Sequence, residues 1–89
     1  MLTVNAAYIQ KLNAIAAGKI AQGNMSAEEA CRYAAKSAKL IFVTQDKSCT
    51  IYRAGNRYVN LWNVGNTSQE LVDGGVGFDD QIWTWADAE

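Results

Sequence analysis

The feature that most constrains this chain is a change of hydrophobic rhythm near residue 40. Helical signals fill the stretch before it, and strand signals fill the stretch after it. Helices and strands segregated along a sequence build an α+β domain, whereas alternating ones build a βαβ domain. The 89 residues suit one domain, 1–89. The expected architecture is two N-terminal helices packed on one face of a small antiparallel meander sheet of three to four strands.

The first helix is expected over residues 5–22. Val4, Tyr8, Leu12, Ile15 and Ala16 fall on one side at helical spacing, with Ile9 and Ile20 at its edge. Thr3 or Asn5 can cap its start, and Gly23-Asn24 suits the left-handed backbone that ends helices. Lys19 intrudes near the stripe and is expected to snorkel to water. The second helix opens on the clearest local signal in the chain, a Ser26/Glu29 capping box with Met25 and Ala30 at staple positions. Its expected buried face is Ala27, Ala30, Cys31, Ala34 and Ala38, all small residues that permit a close approach to a neighbour.

Leu40–Thr44, Cys49–Arg53 and Arg57–Val64 read as strands, with two-residue turns at Asp46-Lys47 and Gly55-Asn56. Those turns set Tyr52 opposite Val59, Thr50 opposite Leu61, Ile41 opposite Tyr52 and Val43 opposite Thr50. One face then carries Ile41, Val43, Thr50, Tyr52, Val59 and Leu61, and the helices are expected to cover it. The other carries Phe42, Ile51, Tyr58 and Trp62, an apolar patch too large to leave wet. Either the C-terminal segment folds back over this patch with Phe78, Ile82, Trp83 or Trp85, or the patch is a partner surface.

Thr67 and Glu70 repeat the capping-box spacing, so a helical turn is expected over Ser68–Val72. Gly74-Gly75-Val76-Gly77 reads as a flexible loop. No Lys-Ser/Thr follows it, and Asp79-Asp80 would repel a phosphate, so nucleotide binding is discounted. Asp73, Asp79 and Asp80 do not match an EF-hand, and the chain has no histidine, so no metal and no cofactor is expected. Gln81–Ala86 alternates as a last strand, with Trp83 and Trp85 on one side.

Charge is sorted along the chain. Residues 1–58 hold all eight Lys and Arg against three acids, a net +5, whereas 59–89 hold six acids and no base, a net −6. An acidic, aromatic end suits a basic protein surface and repels nucleic acid. The partner-binding residues expected on this ground are Asp79, Asp80, Trp83, Trp85, Asp87 and Glu89. Without histidine, a nucleophile motif or a cofactor fingerprint, an enzyme is the least supported class. The leading expectation is a small non-catalytic protein-binding module, of the type of a mobile-element inhibitor that occupies the basic groove of a nucleic-acid-binding protein. Two alternatives stand beside it. Arg53, Arg57, Tyr58 and Trp62 could stack and neutralise single-stranded nucleic acid, or an uncovered sheet face or edge could build a homo-oligomer. The longest purely apolar runs, Leu40–Val43 among them, are far short of a membrane span. The first residues lack a signal-peptide pattern, so the chain is expected to be cytoplasmic, with Cys31 and Cys49 as reduced, semi-buried thiols.

Overall fold

The computed structural model describes residues 6–87, including every side chain among them except those of residues 6, 72–74, 86 and 87. Thr3, Val4, Asn5 and Glu89 lie outside the described residues.

Helix α1 spans Ala6–Gln22 and α2 spans Ala27–Ser37. Ile9, Leu12 and Ala16 are the buried line of α1, so Ile9 belongs to the centre of its stripe, while Tyr8, Ile15 and Ile20 pack against the core from the sides. The capping box of α2 forms as expected: Glu29 N–H donates to Ser26 Oγ and Ser26 N–H donates to Glu29 Oε1, each at 3.2 Å. The buried face of α2 is Ala30, Cys31, Ala34 and Ala35. Neither Gly23 nor Asn24 takes a positive φ; the left-handed residue is Lys39, at φ 63, after the second helix. There Leu40 N–H donates to the Ala35 carbonyl and Lys39 N–H to the Lys36 carbonyl, both at 3.0 Å. This is a Schellman closure, and Leu40 completes it by packing on the core.

The strands are β1 (Ile41–Gln45), β2 (Cys49–Ala54), β3 (Arg57–Asn63), β4 (Val76–Phe78) and β5 (Gln81–Asp87). Between β3 and β4 lie a 3-10 turn, Val64–Asn66, and a short helix α3, Gln69–Gly74. All neighbouring strands are antiparallel, in the order β1-β2-β3-β5-β4. The sheet therefore has five strands, against the three to four expected, and β5 is inserted between β3 and β4, so it is no simple meander. The extra strand comes from the glycine-rich stretch taken above for a loop. A Cβ on Gly77 would stand 2.7 Å from Ile82 Cδ1 and 2.9 Å from the Gln81 carbonyl oxygen. Glycine is what lets β4 run this close to β5.

The β2–β3 register is the expected one, with Tyr52 opposite Val59 and Thr50 opposite Leu61. Gly55 takes φ 65 at the first central position of the hairpin, the position at which a type II′ turn needs glycine. The β1–β2 register differs. Asp46 Oδ1 accepts from Ser48 N–H, Ser48 Oγ and Cys49 N–H, while Asp46 N–H donates to the Cys49 carbonyl. This side-chain turn moves the bend to Lys47-Ser48. A bulge between Phe42 and Thr44 then shifts the outer half of β1, so that Phe42 faces Tyr52 and Ile41 faces Arg53. A one-residue slip exchanges faces, which puts Phe42 on the side of Tyr52 and Ile41 on the opposite side.

The α3 cap also differs. Leu71 N–H donates to Ser68 Oγ at 3.3 Å, so Ser68, and not Thr67, caps that turn. The buried cluster draws Ile9, Leu12 and Ala16 from α1, the small residues of α2, and Tyr52, Val59, Leu61, Trp83 and Trp85 from the sheet. The C-terminal segment does not fold over Ile51, Tyr58 and Trp62. It pairs alongside β3, with Trp85 opposite Val59 and Trp83 opposite Leu61.

Candidate functional site

The acidic end of the chain is organised by a tight turn. Phe78 pairs with Gln81, which leaves Asp79 and Asp80 as the two central residues between β4 and β5. Asp79 has φ 57 there, a left-handed backbone that Asp tolerates better than most residues. The turn is tied down from behind. Val64 N–H donates to the Asp80 carbonyl at 2.9 Å, and Gln81 Nε2 lies 3.0 Å from Asn63 Oδ1 and 3.3 Å from Asp80 Oδ1. Both aspartates are exposed.

Beside them lies an open groove of about 570 Å³, lined by the start of α2 at Ser26 and Glu28, the 3-10 turn, Asp79 and Asp80. The Glu28 carboxylate is partly offset by Arg32, at 2.8 Å and one helical turn away. Both side chains of that pair are well exposed, so it contributes little to stability. The field of the turn reaches inward. The Cys31 thiol is pushed up to about 12, first by burial and then by Asp80, with the Trp83 side chain opposing and Asp79 adding.

The other expected contact residues are distributed differently. Trp83 is 0 % and Trp85 7 % exposed, so neither indole reaches a partner; both are core. Their place follows from the β5 register, which turns residues 83 and 85 to the side of Val59 and Leu61. Tyr8 and Arg57 close on Trp85, with ring centroids 5.5 Å apart and the guanidinium carbon 4.8 Å from the Trp85 centroid. Asp87 stands opposite Arg57 in the ladder.

The set Arg53, Arg57, Tyr58 and Trp62 is split by the pleat. Tyr58 and Trp62 share a face with Arg53, which opposes Tyr58. Arg57 is on the other face with Trp85. Trp62 is half-buried, and its Nε1 donates to Thr84 Oγ1 at 2.9 Å. The shared face brings two aromatic rings together with a single guanidinium.

One strand is more open than expected: the sequence assigns Ile41 and Val43 to the face the helices cover, and Phe42 to the patch on the other side. All five residues of β1 are exposed, including Ile41 at 51 %, Phe42 at 58 % and Val43 at 44 %. The signal available was the uncharged run Ile-Phe-Val-Thr-Gln, but its exposure depends on β1 being an edge strand that the helices leave uncovered.

Cys31 and Cys49 are free, buried thiols. Among the described residues no group of three or more carboxylates or cysteines is placed to hold a metal ion, and no helix is long and apolar enough to cross a membrane. Comparison with known proteins gives no match: no family model, curated protein or solved structure is significantly similar to this chain.

Proposed function

We propose that this chain is a small non-catalytic protein-binding module that docks its acidic end on a basic protein surface. The observation that carries the reading is the placement of Asp79 and Asp80, exposed together at the tip of a tied-down turn and on the same groove as Glu28. A turn already held by Val64, Asn63 and Gln81 loses little conformational freedom on binding, so more of the charge attraction is retained as affinity. The carboxylates speed encounter with a cationic surface and disfavour an anionic one. A partner that binds nucleic acid through that surface would be inhibited by competition. Trp83 and Trp85 act only as the rigid support beneath the turn.

The single-stranded nucleic-acid reading is weaker on this geometry. Its face offers one guanidinium, Arg53, and Arg57 is engaged on the opposite side, whereas backbone-tracking grooves need several cations.

The test is capture of partners from the source cell by the wild-type chain, repeated with Asp79→Lys/Asp80→Lys. Captured basic proteins should be lost from the variant and should also be released from the wild type by salt, since exposed charges are screened at a Debye length of about 8 Å or less. The variant's circular dichroism should match the wild type, because both side chains are exposed and this chain already carries a lysine, Lys39, at a left-handed position like that of Asp79. Undiminished capture by a folded double variant refutes the acidic docking mechanism.

A further inference from the structure

We propose that the cavity between α2 and the β1–β2 turn binds a primary carboxamide, whose carbonyl accepts from Arg32 Nε and whose NH2 donates to Gln81 Oε1. The proposal is independent of the acidic docking reading and stands or falls without it.

The cavity measures about 160 Å³ and adjoins the acidic groove, with which it shares Glu28, Asn63 and Gln81. Arg32 of α2 and Gln81 of β5 stand on two of its walls, over Thr50 and Leu61 of the sheet. Sites for whole drug-sized ligands run to about 300–1,000 Å³. This space therefore admits a functional group and not a nucleotide or a large cofactor.

Two polar atoms mark it as a site. Gln81 is 3 % exposed. Its Nε2 donates to Asn63 Oδ1 and to the Asp80 carbonyl, at 3.0 and 3.2 Å. A planar amide held in this way turns Oε1 away from the acidic turn and towards the cavity, whose lining does not include Asp80. Oε1 is buried and has no hydrogen-bond partner among the described residues. The same holds for Arg32 Nε, while Nη2 of that guanidinium is taken by Glu28 at 2.8 Å. Arg32 lines this cavity and not the groove. Each buried polar atom left unpaired costs free energy, so one small cavity here presents both an acceptor and a donor to an occupant.

The surroundings select the chemistry. Arg32 and Lys47 on the wall are balanced by Glu28 and Asp46, so a neutral group fits better than an ion. The two unpaired atoms come from different elements, so the occupant needs its donor and acceptor on separate atoms. A primary carboxamide carries them side by side in one plane. A carboxylate serves Arg32 but sets oxygen against Gln81 Oε1, and a tertiary amide lacks the donor. Water is the competing occupant. Entry runs past the Arg32 side chain, which is 37 % exposed and held by a weak surface ion pair, and so can turn aside. The same group is carried by free small amides and by asparagine and glutamine side chains.

A nuclear magnetic resonance titration of the whole chain with acetamide tests this. A ligand so small binds weakly, with a dissociation constant of about a millimolar or higher. The Gln81 side-chain NH2 and the Arg32 Nε–H signals should shift saturably, and acetate and N,N-dimethylacetamide should bind roughly tenfold more weakly or worse. Arg32→Lys keeps the positive charge near Glu28 but removes Nε–H, and should weaken acetamide by a similar factor. Arg32 is partly exposed, so this variant should stay folded, which circular dichroism checks. Asp79→Lys should leave binding unchanged, because Asp79 lines only the groove. N-acetylglutamine methylamide separates the sources: binding at least as tight as acetamide assigns the cavity to a partner's side chain, and binding of acetamide alone assigns it to a free amide. The absence of a saturable shift would mean that water alone occupies the cavity and would overturn the proposal. So would a response that acetate matches, that Arg32→Lys leaves intact, or that Asp79→Lys abolishes.

Discussion

Raising the pH above about 9 should destabilise this domain through Cys31, and Cys31→Ala should remove that share of the sensitivity. Cys31 is fully buried between α2 and the sheet. Its ordinary value of 9.0 rises to about 12, chiefly because burial penalises the thiolate, and further because Asp80 and Asp79 repel it. Between these two values the folded chain keeps the proton and the unfolded chain releases it. The unfolded state then binds fewer protons, so stability falls as pH rises, by about 1.4 kcal/mol per pH unit. Below about pH 9 both states hold the proton and this group has no effect. At pH 10.5 the accumulated loss is about 2 kcal/mol, a large part of the 5–15 kcal/mol typical of a domain.

Cys49, Tyr52 and Tyr8 are also shifted upward by burial. Their contributions have the same sign and run in parallel, so the wild-type curve alone cannot isolate Cys31. The comparison with Cys31→Ala can. Removing the sulfur costs packing energy at every pH, and that constant cancels in a difference between two pH values. Urea denaturation at about pH 8 and about pH 10.5 should show the wild type losing about 2 kcal/mol more than the variant. A thiol reagent at about pH 8 should label folded Cys31 roughly a thousandfold more slowly than an ordinary cysteine, through the smaller thiolate fraction. Equal pH dependence in the two proteins refutes the buried-thiol argument.

Two further substitutions test the backbone. Lys39→Gly should stabilise the chain by about 0.5–1 kcal/mol in urea denaturation, because a left-handed residue costs about 1–2 kcal/mol and glycine's added unfolded entropy cancels only part of it; a loss of stability would mean that the Lys39 side chain does something the Schellman geometry does not require. Gly75→Ala should destabilise by about 1–3 kcal/mol by thermal or urea melts, since its Cβ would fall on Ile82 Cγ2 and stand 3.0 Å from the Leu71 carbonyl oxygen; a neutral result would show that the α3–β4 junction yields freely.

The readable parts of the sequence were those governed by neighbours in the chain. Ser26 and Glu29 form their box because both partners lie within one helical turn. Gly55-Asn56 fixes the β2–β3 register because a two-residue hairpin leaves no slack. The misread parts depend on an atom that pattern alone does not weigh. One carboxylate oxygen of Asp46 gathers three donors and moves a turn by a residue. A bulge then reverses the sides of Ile41 and Phe42. Gly74-Gly75-Val76-Gly77 resembles a loop in composition, yet Gly75 and Gly77 serve close approach to Ile82. Exposure of β1 was invisible for a different reason: it reflects strand order, which no local signal in β1 specifies.

The fate of the two C-terminal tryptophans follows from volume. Alternation in Gln81–Asp87 requires Trp83 and Trp85 to share a face, but it does not select the face. The small residues of α2 do. Ala30, Cys31, Ala34 and Ala35 are fully buried and bring little side-chain volume of their own to the shared core. Close packing must take the rest of the volume from elsewhere, and Tyr52, Trp83 and Trp85 are the large side chains of the same cluster. A helix face of small residues therefore calls for large residues beneath it, and the acidic residues flanking the tryptophans do not bring them to the surface. The same step separates the two halves of the expected docking site. Its aromatic half becomes internal support, and its charged half, Asp79 and Asp80, remains outside on the turn that this support holds in place.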